Sequence, residues 1–350
     1  MKEIKPQEML TLSGSSFDIG HQHGKEAKAK VHSSLETYER MFKEHTAISW
    51  GEACEKALTH LDAIEKLYPQ YVEEMEGLAK GAGVSFEDVL ALNARSEIAL
   101  ITAPDGCTSI AMSHPKTSKT WLAQNWDWKG TQLKSLVHVQ IEQNDLPTIE
   151  MVTEAGIIGK IGCNSTGFGV CLNALVTDTW LPKIPIHLGL RAILDSFSFR
   201  EALEKVENNQ MASPAHFLVA SKTGDMASLE VSPVRTEQIT PTEGLLVHTN
   251  HLCSPEMREE MNEDILPDSY HRLSAINKHV GKLNNKEIEK EDVFHILSDH
   301  ENYPNSICRH ESSSQNLREK MENVFSIVMN LSDNELTWIH GNPCEHYQRG

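Results

Sequence analysis

Through the first hundred or so residues the apolar positions recur at helical intervals, as in "EACEKALTHLDAIEKLYPQYVEEMEGLAKGAG", where Leu58, Leu61, Ile64 and Tyr68 fall on one face. That stretch and "HGKEAKAKVHSSLETYERMFKEH" are rich in Ala, Glu, Lys and Leu, residues that lose little freedom in a helix. Pro69 has no backbone N–H to give and divides the longer stretch. Ser85 and Asp88 in "SFEDVLALNAR" have the spacing of a capping box that restarts helix. The pattern predicts three or four helices before Cys107.

After Cys107 the period shortens to two, and β-like runs appear in "CTSIAMS", "TWLAQNWDW", "LVHVQIEQ" and "TIEMVTEAG". Two further β segments meet at Gly167 in "GKIGCNSTGFGVCLNALV", where glycine frees the turn. A helical stretch from about Ile186 to Asn208 comes next, then strands in "AHFLVASKTGDMASLEVS" and "GLLVHTNH", helices in "SYHRLSAINKHV" and "IEKEDVFHILSDH", and a closing hairpin around Asp333 and Asn334. Runs of helix alternating with runs of sheet suit a layered α+β or αββα fold better than repeated βαβ units. No internal repeat or low-complexity segment is visible.

Composition narrows the partners. With 50 acidic residues against 32 Lys plus Arg, the formal net charge is -18, which argues against nucleic acid or an anionic membrane surface. No apolar run reaches the roughly 20 residues that cross a bilayer, and the start has no apolar core of a secretory signal, so a cytoplasmic location is expected. The seven cysteines are odd in number and contain no C-x-x-C pair, which fits neither a disulfide framework nor a common zinc module. "GHQHG" (His21, His23) and "HTNH" (His248, His251) invite a metal reading, but H-E-x-x-H and a third ligand at a telling distance are missing, so no metal and no cofactor are expected. The glycines after Glu154 lack both the P-loop ending and the dinucleotide-binding context.

Cys107 follows a Pro-Asp-Gly turn and opens a strand. On local composition it reads as a buried small residue, a metal ligand or a nucleophile. Free cysteine is often buried and inert. Against that, a cut between Gly106 and Cys107 would place a thiol and an amine on one residue, joining nucleophile and base as an N-terminal threonine does.

The stretches "GSSFDIGHQHG", "LNARSEIA", "DGCTS", "LAQNWDW", "EAGIIGKIGCNSTGFGVCLNAL", "HTNH", "LPDSYHRL" and "ENYPNSICR", in this order, resemble the isopenicillin-N acyltransferase family, the acyl-coenzyme A:6-aminopenicillanic acid acyltransferase-like (peptidase C45-like) N-terminal-nucleophile hydrolases. The resemblance runs from about residue 10 to the C-terminal hairpin. It implies a four-layer αββα sandwich and a precursor that cleaves itself into a helical N-terminal segment, residues 1–106, and a catalytic domain, residues 107–350, which stay together. It further implies Cys107 as nucleophile, Asp127 orienting the new amine, Asn173 and Asn250 near the oxyanion, and Arg309 in the charged surroundings of the amine.

The expected activity is then hydrolysis of a small linear amide, or transfer of its acyl group, through an acyl-thioester. The resemblance identifies neither the acyl group nor the acceptor, and leaves homo-oligomerisation open. Two other readings stay in view: an unprocessed cysteine or metal-dependent amidase, and a noncatalytic binding protein on the same scaffold.

Overall fold

The computed structural model describes residues 8–99, 106–283, 287–313, 315 and 320–347. The Pro-Asp part of the turn read before Cys107 lies outside the described residues. Among the described residues the first element is strand β1 (Met9–Gly14), so the N-terminal segment is not helical throughout. Helices α1 (Ser16–Glu26), α2 (Lys28–Thr46), α3 (Trp50–Leu58), α4 (Leu61–Leu67), α5 (Pro69–Ala82), α6 (Phe86–Asn93) and α7 (Arg95–Ala99) follow. Capping boxes start α1, α3 and α6 at Ser15/Asp18, Ser49/Glu52 and Ser85/Asp88. Pro69 stands in the first turn of α5, where a missing N–H costs nothing.

The glycines of "GHQHG" serve helix packing. Gly20 and Gly24 of α1 face Gly77 and Gly81 of α5 so closely that a Cβ on Gly20 would lie 1.8 Å from the Glu74 carbonyl oxygen, and one on Gly77 2.1 Å from that of Phe17. His23 points inward, and its Nε2 accepts the Gly156 N–H at 3.3 Å. Burial, with the charge of Arg191, lowers its pKa to about 4. His21 stacks on Phe17. The two histidines therefore have separate structural surroundings.

The remaining elements are β2 (Thr108–Met112), β3 (Trp121–Trp128), β4 (Leu136–Gln143), β5 (Ile149–Glu154), β6 (Ile161–Asn164), β7 (Phe168–Ala174), α8 (Ile186–Leu194), α9 (Phe199–Glu204), β8 (Ala215–Ser221), β9 (Met226–Val231), β10 (Thr236–Ile239), β11 (Leu245–His248), α10 (Pro255–Glu260), α11 (Asp268–Gly281), α12 (Lys290–Leu297), β12 (Glu322–Asn330) and β13 (Glu335–His340). Among the described residues one sheet has eight strands in the order β1-β4-β5-β6-β7-β8-β9-β10, and the other five in the order β11-β2-β3-β12-β13. β1 joins β4 in parallel, Met9 opposite His138; the other pairs are antiparallel. Gly167, at φ 93°, makes the tight turn between β6 and β7 that a Cβ would strain.

The sheets face each other through β2 and β3 against β7 and β8. α8 covers the outer side of the larger sheet, which α1 and α2 also touch; α11 and α12 cover the smaller. This is the α+β fold with αββα layers expected from the chain. Strand alternation decides which residues meet: Ala111, Leu122 and Trp126 join the core between the sheets, whereas Ile110, Met112, Trp121 and Ala123 pack with α11 and α12. Gln124 crosses the sheet interface, its Oε1 accepting the Leu172 N–H at 2.9 Å while its Nε2 donates to the Leu172 carbonyl. Among the described residues no helix is long and apolar enough to cross a membrane.

Candidate active site

Cys107 stands immediately before β2, fully buried in the core between the sheets. Ser109 follows two residues on, so the period of a strand puts it on the same face roughly 6.6 Å further along. Its hydroxyl donates to Asn173 Oδ1 on β7 at 2.6 Å. Thr108 points the opposite way, toward α11, where its Oγ1 accepts from Arg272 at 3.0 Å.

Arg272 organises this end of the strand. Its Nη1 donates to the Cys107 carbonyl oxygen at 2.5 Å, its Nη2 to Asn250 Oδ1 at 3.0 Å, and its Nε to Asp268 Oδ2 at 3.0 Å. Asp268 and Arg272 are one turn apart on α11, the i,i+4 spacing that lets both side chains reach one point. Arg309 donates to Asp268 Oδ2 through Nη2, to Asp127 Oδ2 through Nε at 3.1 Å, and to Asn305 Oδ1 through Nη1 at 3.0 Å. Asn323 on β12 holds the other Asp127 oxygen at 2.6 Å.

The result is a buried chain of alternating charge, Asp127–Arg309–Asp268–Arg272. Charge-assisted bonds of this kind are short and directional, and removing one partner of a buried pair costs about 3–5 kcal/mol. Burial works to raise the Asp268 carboxyl, but the Arg272 and Arg309 guanidiniums overcome it and hold the group below the usual carboxylate range. Gly106 lies against the far end of the chain, since a Cβ there would come within 2.8 Å of Arg309 Nε and 3.0 Å of Asp127 Oδ2.

The two asparagines differ in how their amides are used. Asn173 Oδ1 accepts from Ser109 and is 2.9 Å from His216 Nδ1, which fixes the orientation of the amide. Its buried Nδ2 has no hydrogen-bond partner among the described residues. Asn250 accepts from Arg272, and its Nδ2 donates to the Ala174 carbonyl at 3.1 Å, which leaves one amide hydrogen for another acceptor.

His216 is kept well below its ordinary pKa by burial and by the charge on the His248 ring stacked 3.5 Å away. A neutral ring bonded to Ser228 Oγ at 2.7 Å can present its Nδ1–H to Asn173. His248 is raised: burial opposes its charge, but Cys253 and the Glu230 carboxylate, 2.8 Å from Nε2, outweigh it. Of the histidines of "HTNH", His248 stacks on the ring of His216, which contacts Asn173, and His251 is bonded to Ser269.

Of the five residues named from the sequence, Cys107, Asn250, Arg309 and Asp127 are joined through Arg272 and Asp268, whereas Asn173 is bonded separately to Ser109 and His216. Sequence reasoning did not single out Asp268 and Arg272, although both stand in "LPDSYHRL"; their i,i+4 spacing was the available signal. Ser109, His216 and Asn323 carried no local signal, because each acts on a residue far away in the chain.

A family model described as acyl-coenzyme A:6-aminopenicillanic acid acyl-transferase matches residues 114–345, beginning just after Cys107. The chain is 34% identical over 341 residues, 95% of its length and 92% of the relative's, to the 40 kDa form of acyl-coenzyme A:6-aminopenicillanic-acid-acyltransferase of Emericella nidulans. Similar solved structures include a mutant conjugated bile acid hydrolase from Clostridium perfringens, with 14% identity, TM-score 0.48, and coverage of 67% of this chain and 92% of that one. Another is penicillin V acylase from Agrobacterium tumefaciens, with 11% identity, TM-score 0.41, and coverage of 67% and 86%.

Proposed function

The chain belongs to the acyl-coenzyme A:6-aminopenicillanic acid acyltransferase family and is an enzyme; on that premise we propose that it cleaves itself before Cys107 and then opens small linear amides through an acyl-thioester on that residue. The observation that carries this reading is the path Asp127–Arg309–Asp268–Arg272, which runs from Gly106 to the carbonyl of Cys107. Charge and hydrogen bonds are concentrated there, on both sides of one peptide bond.

In the precursor the Cys107 thiol adds to the Gly106 carbonyl carbon. The C–N bond breaks as the nitrogen takes a proton, and water then hydrolyses the Gly106 thioester. The products are a Gly106 carboxylate and a Cys107 carrying both thiol and α-amine. An amine near pKa 7.7–8.0 and a thiol near 8.5 are matched well enough for the amine to take the thiol proton near neutrality. Asp127, held from two sides by Arg309 and Asn323, orients the amine, and Arg272 holds the carbonyl of the same residue.

During turnover the thiolate adds to the acyl carbon, and the oxyanion takes N–H groups from Asn173 and Asn250. The leaving amine departs with the proton held by the α-amine. Water resolves the thioester to a carboxylate, and a bound amine resolves it to a new amide. The relative's name is that of an acyltransferase from acyl-coenzyme A to 6-aminopenicillanic acid; the thioester on Cys107 is reached here from an amide.

The cut leaves residues 1–106 bound to residues 107–350. β1 remains in the larger sheet, and the buried pairs Arg95–Glu154 at 3.0 Å and Glu74–Arg191 at 2.8 Å bridge the two parts. Denaturing mass spectrometry of purified protein tests the reading. Two fragments meeting between Gly106 and Cys107 are expected, one intact chain for Cys107→Ala, and no turnover once the new amine is blocked. Full activity from an uncut chain would overturn it and favour a conventional cysteine hydrolase.

A further inference from the structure

Around the other face of the Arg309 segment, four metal-binding side chains converge on one point. His310 Nε2 is 3.1 Å from His300 Nε2, 3.6 Å from Cys308 Sγ and 3.5 Å from Cys344 Sγ. All four ligand atoms lie within 4.8 Å of one another. Zinc bonds of about 2.3 Å to sulfur and about 2.0–2.1 Å to nitrogen, set at tetrahedral angles, give edges of about 3.3 Å for N–N and about 3.6 Å for N–S. These three separations lie within about 0.2 Å of those edges.

We propose that His300, Cys308, His310 and Cys344 form a structural Cys2His2 zinc site. Two thiolates and two imidazoles are the donor set that favours zinc over the hard cations. Four protein ligands leave no open position, so the site is structural. Binding replaces two S–H bonds with Zn–S bonds and releases both protons to solvent.

The surroundings suit the role. Asn342 Nδ2 donates to the Arg309 carbonyl at 2.7 Å and lies 3.5 Å from Cys308 Sγ, an N–H facing the future thiolate. Cys308 N donates to Asp299 O at 2.9 Å and His310 N to Pro304 O at 3.0 Å, which hold the two ligands in place. Cys308 is fully buried, while His300 and Cys344 line a cavity of about 360 Å³ that offers an entry path. The order His300, Cys308, His310, Cys344 corresponds to no common zinc-module spacing, which is why the sequence led to an expectation of no metal.

The site's consequence lies in its neighbours. Cys308 and His310 flank Arg309 on both sides, so a bound ion pins the backbone from which Arg309 reaches Asp127 and Asp268. Cys344 ties the segment after β13 to the same point.

Elemental analysis of full-length protein purified without chelator should find about one zinc per chain. After chelation, Co2+ should restore thiolate-to-cobalt charge-transfer bands and the intense visible bands of a tetrahedral centre. Cys344→Ser and His300→Ala should lose that spectrum, and Cys253→Ser and Cys54→Ser should keep it. Zn2+ should raise the unfolding temperature of the stripped protein and leave that of Cys344→Ser unchanged. No tetrahedral cobalt spectrum in the stripped parent protein, the same spectrum in Cys344→Ser, or a Cys308–Cys344 disulfide in never-reduced protein would overturn the proposal. Should Cys308→Ser fail to fold, Cys344→Ser and the exposed His300→Ala decide the matter.

Discussion

Asn173→Ala separates an oxyanion donor from a structural amide. The asparagine does two things: its buried Nδ2 has no hydrogen-bond partner among the described residues, and its Oδ1 receives Ser109 and His216. Loss of one oxyanion donor costs about 2.7–4 kcal/mol of transition-state stabilisation, so kcat should fall about 100- to 1,000-fold. Truncation also leaves the Ser109 hydroxyl and His216 Nδ1–H without an acceptor, at about 1–3 kcal/mol each if no water enters. The assay is turnover of a linear acyl amide by processed protein at saturating substrate, alongside urea unfolding to establish the folded fraction. Labelling of Cys107 by a thiol-reactive acyl analogue should still occur, since the nucleophile and its amine are untouched. A large drop in stability with less than about a tenfold drop in kcat of the folded enzyme would refute the oxyanion role and leave Asn173 as a structural link between the sheets.

Gly106→Ala should slow self-cleavage, because the new Cβ would stand 2.8 Å from Arg309 Nε and 3.0 Å from Asp127 Oδ2; the ratio of intact to cut chain over time on denaturing gels reads this directly, and a normal rate would show that these contacts are not needed. Asp127→Asn in processed protein should lower kcat more than it changes KM, as expected of a group acting on the nucleophile's amine; a raised KM with unchanged kcat would assign Asp127 to substrate binding. His23 takes its proton at about 4 in the fold against an ordinary 6.5, so the unfolded chain binds more protons between those values. Stability should therefore fall as pH drops from about 6.5 through about 4, with His23 contributing up to about 3 kcal/mol. His23→Gln should flatten that part of the urea-unfolding profile, and an identical slope in the variant would contradict the buried neutral state.

Much of the fold was legible along the chain because local rules act over a few residues. Helical spacing before Cys107, the Ser85/Asp88 capping box, Pro69 at a helix start and the β-like runs that became β2 and β3 all follow from backbone geometry that neighbours dictate. Ordered motifs also pointed to Cys107, Asp127, Asn173, Asn250 and Arg309 together. The strand β1 escaped because "MLTLSG" becomes a strand by joining β4, more than a hundred residues later. The glycines and histidines of "GHQHG" were ambiguous for the same reason, since the partner that requires small residues is α5.

Tertiary structure decided which charged groups met and what they did to one another. Asp268 and Arg272 are an ordinary helix pair until Arg309 and the Cys107 carbonyl arrive from distant segments. The orientation of the Asn173 amide is defined only because β2 brings Ser109 and β8 brings His216 to its oxygen. His300, Cys308, His310 and Cys344 show no common zinc-module spacing along the chain and converge only where the connection between α12 and β12 folds back on itself and meets the segment after β13. Periodicity records which face of an element is buried, whereas electrostatic and coordination chemistry falls off within a few ångströms and depends on which faces end up opposite.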